Sequence, residues 1–171
     1  MTKIERSALR STVIKLFLEV LRNNLVDPLT PKRPNASWIR SSLLLREEPS
    51  VNNGRKDFLI KESAKPGFPQ VVVCYFNETT EQHTYNKGTD PNYKTTCELT
   101  IRVLDSGPVN RCDSLAGQIS NILKTKRATD FSPNGISKMN WTSMTMPDNL
   151  ADDYHENQFT ITFVARLTEW V

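Results

Sequence analysis

Residues 94–125, KTTCELTIRVLDSGPVNRCDSLAGQISNILKT, decide the fold, because they predict a strand, a turn and a helix in succession. Apolar and polar side chains alternate from Cys97 to Val103, and this period of two places one apolar row on one face of a sheet. The residues DSGP at 105–108 end the strand, and Pro108 suits the first position of a helix. Apolar residues then recur at helical spacing, at Cys112, Leu115, Ala116, Ile119, Ile122 and Leu123.

Two more stretches have strong strand character. Residues 68–76, FPQVVVCYF, are rich in β-branched and aromatic residues and apolar on both faces, which predicts a central strand. Residues 158–171 alternate cleanly, with Phe159, Ile161 and Phe163 on one face. Weaker patterns predict strands at 136–147 and 58–60.

The N-terminal segment predicts a long helix. Thr2 and Glu5 have the spacing of a capping box, the apolar positions from Ile4 onward form a broad stripe to about Asn24, and Asp27-Pro28 ends the helix. A stripe this broad indicates either contact with a sheet and a second surface, or a helix deep in its own core. A proline-rich linker follows at 29–35.

These elements predict an α+β fold, with a mainly antiparallel sheet of four to five strands and two helices packed on one face. At 171 residues the chain is long enough for a single domain covering 1–171. Between two of the strongest strands, Asn77 to Tyr93 form a polar stretch that predicts either a long loop or an extended β-hairpin arm.

The composition points away from several classes of protein. The 22 basic and 19 acidic residues are intermixed along the chain, unlike the clustered footprint of a nucleic-acid-binding protein. No apolar run reaches the length of a membrane span and no signal peptide is recognisable, so we expect a cytoplasmic protein without membrane contact. The three cysteines lack metal-ligand spacing and are expected to be buried thiols in a reducing compartment.

The residue pattern suggests no catalytic chemistry. Both histidines, His83 and His155, fall in predicted loops, and Asp152, Asp153 and His155 match no metal-ligand signature. Gly107-Pro108 lacks the further glycines and the Lys-Ser/Thr pair of a phosphate-binding loop. We therefore expect no catalytic residue, no metal, no cofactor and no enzymatic activity.

The strongest candidates for a functional role are residues of types that are common in protein interfaces. Trp38 either covers the edge of the core or, with Arg40, anchors an interface, where these two residue types are favoured. In the polar stretch, aromatic and basic residues interleave, although Glu78, Glu81 and Asp90 offset their charge. The predicted subunit or partner interface comprises Trp38, Arg40, His83, Tyr85, Lys87, Tyr93 and Lys94.

The order of elements resembles that of a known family. An amphipathic helix, a proline-rich linker, the strand FPQVVVCYF, a long loop, the strand CELTIRVLD, a helix and the last strand QFTITFVARLTEW are similar to the tail terminator and tail completion proteins of tailed bacteriophages. The resemblance covers most of the chain, and the local similarity is greatest in the segments ELTIRVLD and FTITFVARLTEW. The polar loop Arg46–Asp57 departs from the shortest members.

The resemblance implies a structural virion protein of the phage neck. Such subunits form a ring, commonly a hexamer, that terminates the tail tube and joins it to the head connector, with DNA passing through the lumen. It implies synthesis in the host cytoplasm, assembly into the virion, tube and connector proteins as partners, and no catalytic residues. The alternatives are another head-completion adaptor or tail-tube-like subunit, a non-viral binding module, or an enzyme whose site the sequence does not reveal.

Overall fold

The computed structural model of the chain describes residues 3–41, 67–85, 91–147 and 154–167. For residues 81–85 and 91–94 it describes the backbone only. Its helices are α1 (Leu9–Asn24), α2 (Asn35–Trp38) and α3 (Val109–Lys126), with short helical turns at Arg6–Ala8, Arg127–Phe131 and Ser132–Asn134. Its strands are β1 (Ile39–Ser41), β2 (Gln70–Tyr85), β3 (Pro91–Asp105), β4 (Ile136–Thr145) and β5 (His155–Ala165). The strand predicted at 58–60 lies outside the described residues.

The strands form one five-stranded sheet in the order β1-β2-β3-β5-β4. Only β1 runs parallel to its neighbour β2, whereas the other three pairings are antiparallel. The α+β class and the mainly antiparallel sheet are thereby confirmed, and the strand number is the upper value predicted. β2 lies between β1 and β3, as its apolar faces predicted, although β1 pairs with only its first residues.

The core is built on one row of residues across this sheet. Val73 lies opposite Ile101, which lies opposite Phe159, so directly paired residues continue the same apolar face from strand to strand. The buried residues of α1 and α3 belong to the same core. α1 contacts β1 and β2, and α3 contacts β3 and β5. That both helices occupy a single face stays a prediction.

The predicted strand–turn–helix at 94–125 is present as β3 and α3, and the predicted helical stripe is buried except for Ala116, which is partly buried. The start of α1 was predicted wrongly, since regular α-helix begins only at Leu9, after a turn at Arg6–Ala8. The physical reason is that the N–H of Ile4 donates to the carbonyl of Arg166 at 2.8 Å, which holds this segment extended beside Leu167. Thr2 lies outside the described residues.

A buried ion pair fixes the turn between β3 and α3. The carboxylate of Asp105 is fully buried and accepts from the N–H of Gly107 at 2.9 Å. It also accepts from Nε of Arg111 at 2.7 Å and from a terminal nitrogen of Arg111 at 2.6 Å. Three hydrogen bonds on one carboxylate set the direction in which the helix leaves the strand.

Gly107 is required by this ion pair, because a Cβ there would overlap the guanidinium of Arg111, with Cζ only 2.7 Å away. We expect Gly107→Ala to displace Arg111 and lower the free energy of unfolding by about 1–3 kcal/mol. The matched control is Gly117→Ala, where a Cβ meets nothing within 4 Å on the exposed side of α3. That change should stabilise by about 0.5–1 kcal/mol. Urea unfolding measures both, and equal effects would contradict the account of the turn.

Candidate interaction surface

The hairpin of β2 and β3 extends beyond the rest of the sheet. These strands pair from Gln70 opposite Leu104 out to Tyr85 opposite Pro91. On one side their neighbour β5 ends at Ala165, opposite Thr95. On the other side β1 ends at Ser41, opposite Val73. Residues 81–85 and 91–94, which we call the outer hairpin, therefore pair with no third strand among the described residues.

Beyond Ala165, the backbone groups of β5 bond to segments other than β3. The N–H of Arg166 donates to the carbonyl of Gly135 at 2.8 Å, and the carbonyl of Arg166 accepts from Ile4. In the described part of the chain, β5 has no pairing with β3 beyond Thr95. The outer hairpin is consequently left with two free edges within the described part of the chain.

The base of the outer hairpin is tied to the body of the protein. The hydroxyls of Thr80 and Thr95 lie 3.0 Å apart across the two strands, and Thr95 is buried. A terminal nitrogen of Arg6 donates to the Thr80 hydroxyl at 3.2 Å. Since Arg6 precedes α1, these contacts connect the hairpin to the start of the first helix and fix the direction in which it projects.

Of the two forms considered for Asn77–Tyr93, the structure shows paired strands, with β2 continuing to Tyr85 and β3 beginning at Pro91. The predicted interface residues His83, Tyr85, Tyr93 and Lys94 belong to these strands. Tyr93 lies opposite Gln82 and Lys94 opposite Glu81, and the pairing shifts register between Gln82 and Thr84. Lys87 lies outside the described residues.

Trp38 is not part of this surface. It is fully buried, its indole Nε1 donates to Oδ1 of Asn35 at 3.1 Å, and the guanidinium of Arg33 lies 5.3 Å from the ring centroid. The reading in which Trp38 covers the core is the one the structure shows, and its use as an exposed anchor was wrong. Arg40 is half-buried in β1, opposite Val72, so these two residues lie apart from the outer hairpin.

The Arg33 that lies over Trp38 belongs to a second Asp–Arg pair, which was not predicted from the sequence. Asp27 accepts from Nε of Arg33 at 2.9 Å, from a terminal nitrogen of Arg33 at 3.1 Å, and from the N–H groups of Arg33 and Leu29. Burial by itself raises the pKa of Asp27, but these hydrogen bonds and the charge of Arg33 outweigh it and lower the pKa to about 2. Arg33 also donates to the carbonyls of Gly67 and Pro69. The pair therefore joins the chain after α1 to the start of β2.

Among the described residues, the cysteines are held in settings that keep them protonated. Burial raises the pKa of the Cys97 thiol to about 12, and burial also raises the pKa of Cys74 and of Cys112. Within the described ranges no three His, Cys, Asp or Glu side chains are grouped to hold a metal ion. Asp152 and Asp153, considered with His155 as ligands, lie outside those ranges. None of the described helices is long and apolar enough to cross a membrane.

The outer hairpin thus remains the feature with the best case for a function, since it combines free strand edges with a fixed base. A scan against protein-family models and a search of curated proteins both return no match for the chain.

Proposed function

We propose that this chain is a structural subunit of a phage neck, a tail terminator or head–tail joining protein that forms a ring around a DNA-filled lumen. The order of its elements resembles that family. The observation that carries the proposal is the outer hairpin, a two-stranded extension with no third strand beside it among the described residues.

The energetics of such an extension favour a partner. A two-stranded hairpin is at best marginally stable in water, because it buries too little apolar surface to offset the cost of ordering its backbone. Free strand edges also present unpaired N–H and C=O groups that readily pair with another chain. A subunit that places its hairpin on a neighbour removes both costs at once.

The geometry of the contact suits a ring. A hairpin that projects from one end of a subunit contacts a different surface on its neighbour, which makes the interface heterologous. Repeating a heterologous contact closes into a ring when the rotation permits it. In this proposal the tail tube and the head connector are the further partners, the assembled virion is the location, and no enzymatic step is involved.

The oligomeric mass tests the proposal. Size-exclusion chromatography with light scattering should give an integer multiple of the 19.5 kDa subunit mass, with six the expected number. A mass that stays at one subunit over a wide range of concentrations would count against the ring. A dimer would count against it as well, because a two-fold contact uses the same surface on both subunits.

A further inference from the structure

The fold gathers positive charge at the end of the molecule from which the outer hairpin projects. Residues 3–10 and 124–138, which we call the basic end, contain seven basic residues and two acidic ones, Glu5 and Asp130. Because the whole chain has a net charge of only +3, the remainder is net negative. Positive charge is therefore concentrated in these two segments.

Backbone hydrogen bonds and ring contacts bring these two segments together. Ile4 donates to Arg166, which in turn donates to Gly135, so the N-terminal segment, the end of β5 and the start of β4 meet. Phe17 of α1 packs on Phe131, with ring centroids 4.7 Å apart. Phe131 is the last residue of the helical turn that follows α3. The basic end is thus one region of the fold.

Five of the seven basic residues of this region are exposed to solvent. They are Lys3, Arg10, Lys124, Arg127 and Lys138. None of them forms a salt bridge with another described residue, whereas the described salt bridges are Asp27–Arg33, Arg102–Glu156 and Asp105–Arg111. Two of those pairs hold the loop after α1 and the turn before α3, at the opposite end of these helices. Exposed charges of one sign create the potential that attracts a polyanion.

One of these cations is held in place by the structure. The guanidinium of Arg127 lies 5.4 Å from the centroid of the Trp141 ring, and the indole of Trp141 donates to the hydroxyl of Ser120 at 3.2 Å. A cation that is already positioned loses less conformational entropy when it binds.

Among the described residues, the region has none of the large exposed apolar side chains that a protein partner normally requires as anchors. Val26, Val109 and Met144 are large apolar side chains about half exposed or more, and they follow α1, begin α3 and lie near the end of β4, all remote from the basic end. The fourth, Tyr75, lies within β2. Protein interfaces depend on buried aromatic and aliphatic anchors, whereas contact with phosphate backbones depends on Lys and Arg.

We infer that the basic end is a binding surface for the phosphate backbone of duplex DNA, used without sequence specificity. A single subunit presents the whole surface, so the inference does not require the ring. Within the proposed function it names the surface that meets the DNA.

The test compares two variants with the same change in charge. Lys3→Gln/Lys124→Gln removes two cations of the basic end, and Lys15→Gln/Lys32→Gln removes two exposed cations from the middle of α1 and the loop that follows it. Fluorescence anisotropy with a mixed-sequence duplex is measured from low to physiological salt. We expect the first variant to bind about tenfold more weakly at low salt, with a salt dependence about two units shallower, and the second to bind as the unchanged chain does.

Three results would overturn the inference. They are no binding by the unchanged chain at low salt, equal weakening in both variants, and binding to polyglutamate as tight as binding to the duplex, which would indicate an acidic protein partner. Light scattering on the same samples reports assembly separately, so loss of DNA binding and loss of the ring are distinguishable.

Discussion

A chain in which Thr80 is joined to Thr95 through Asn-Gly, without residues 81–94, should fold normally and fail to assemble. The cut is placed where β5 stops pairing with β3, since Thr95 is the β3 residue nearest the hairpin tip that still lies opposite β5. Asn-Gly supplies the two-residue turn that fits the twist of a hairpin. The Thr80–Thr95 contact and the core row from Cys97 onward are kept.

The expected result is a subunit-sized species by light scattering, with circular dichroism and a thermal midpoint close to those of the full chain. The midpoint should change little, because every described core residue lies outside the deleted segment. If the shortened chain unfolds, the outer hairpin is part of the folding core and is not a partner-facing extension. If it keeps the full oligomeric mass, the subunit contacts lie elsewhere.

Asp105→Ala should be among the most destabilising single substitutions. The carboxylate is fully buried and satisfies the N–H of Gly107 and two nitrogens of Arg111. Its removal leaves a half-buried guanidinium and a backbone donor without their acceptor. We expect a loss of about 2–4 kcal/mol in the free energy of unfolding, less than for a fully buried pair because Arg111 retains some solvent contact.

A double-mutant cycle separates the ion pair from the loss of side-chain volume. Arg111→Ala and the double variant Asp105→Ala/Arg111→Ala are measured by urea unfolding alongside Asp105→Ala. Since the two residues contact each other directly, the double variant should lose clearly less stability than the sum of the single changes. Strict additivity would show that Asp105 and Arg111 act independently, contrary to the structure of the turn.

Much of the fold could be predicted because it depends on local periodicity. The alternation in 97–103 and 159–165 and the helical spacing from Cys112 to Leu123 each identify an element and its buried side. The start of α1 could not be predicted in this way, because it depends on a hydrogen bond between Ile4 and Arg166, which are remote in sequence. A local capping signal competes poorly with such a contact.

The interaction surface was only partly predictable, because it also depends on contacts between residues that are remote in sequence. The polar stretch 77–93 indicated an unusual connection, but the point where the hairpin leaves the sheet depends on where β5 stops pairing with β3, which is opposite Thr95. Trp38 was ambiguous because burial depends on neighbours, here Asn35 and Arg33. The basic end could not be recognised from the sequence, because its two segments are more than a hundred residues apart along the chain.

Negative-stain electron microscopy of the purified full chain tests the ring most directly, because it shows both closure and lumen. The proposed function predicts closed rings of repeated subunits around a central channel, absent from the chain that lacks residues 81–94. Monomer-sized particles at every concentration, or open chains without a channel, would contradict it.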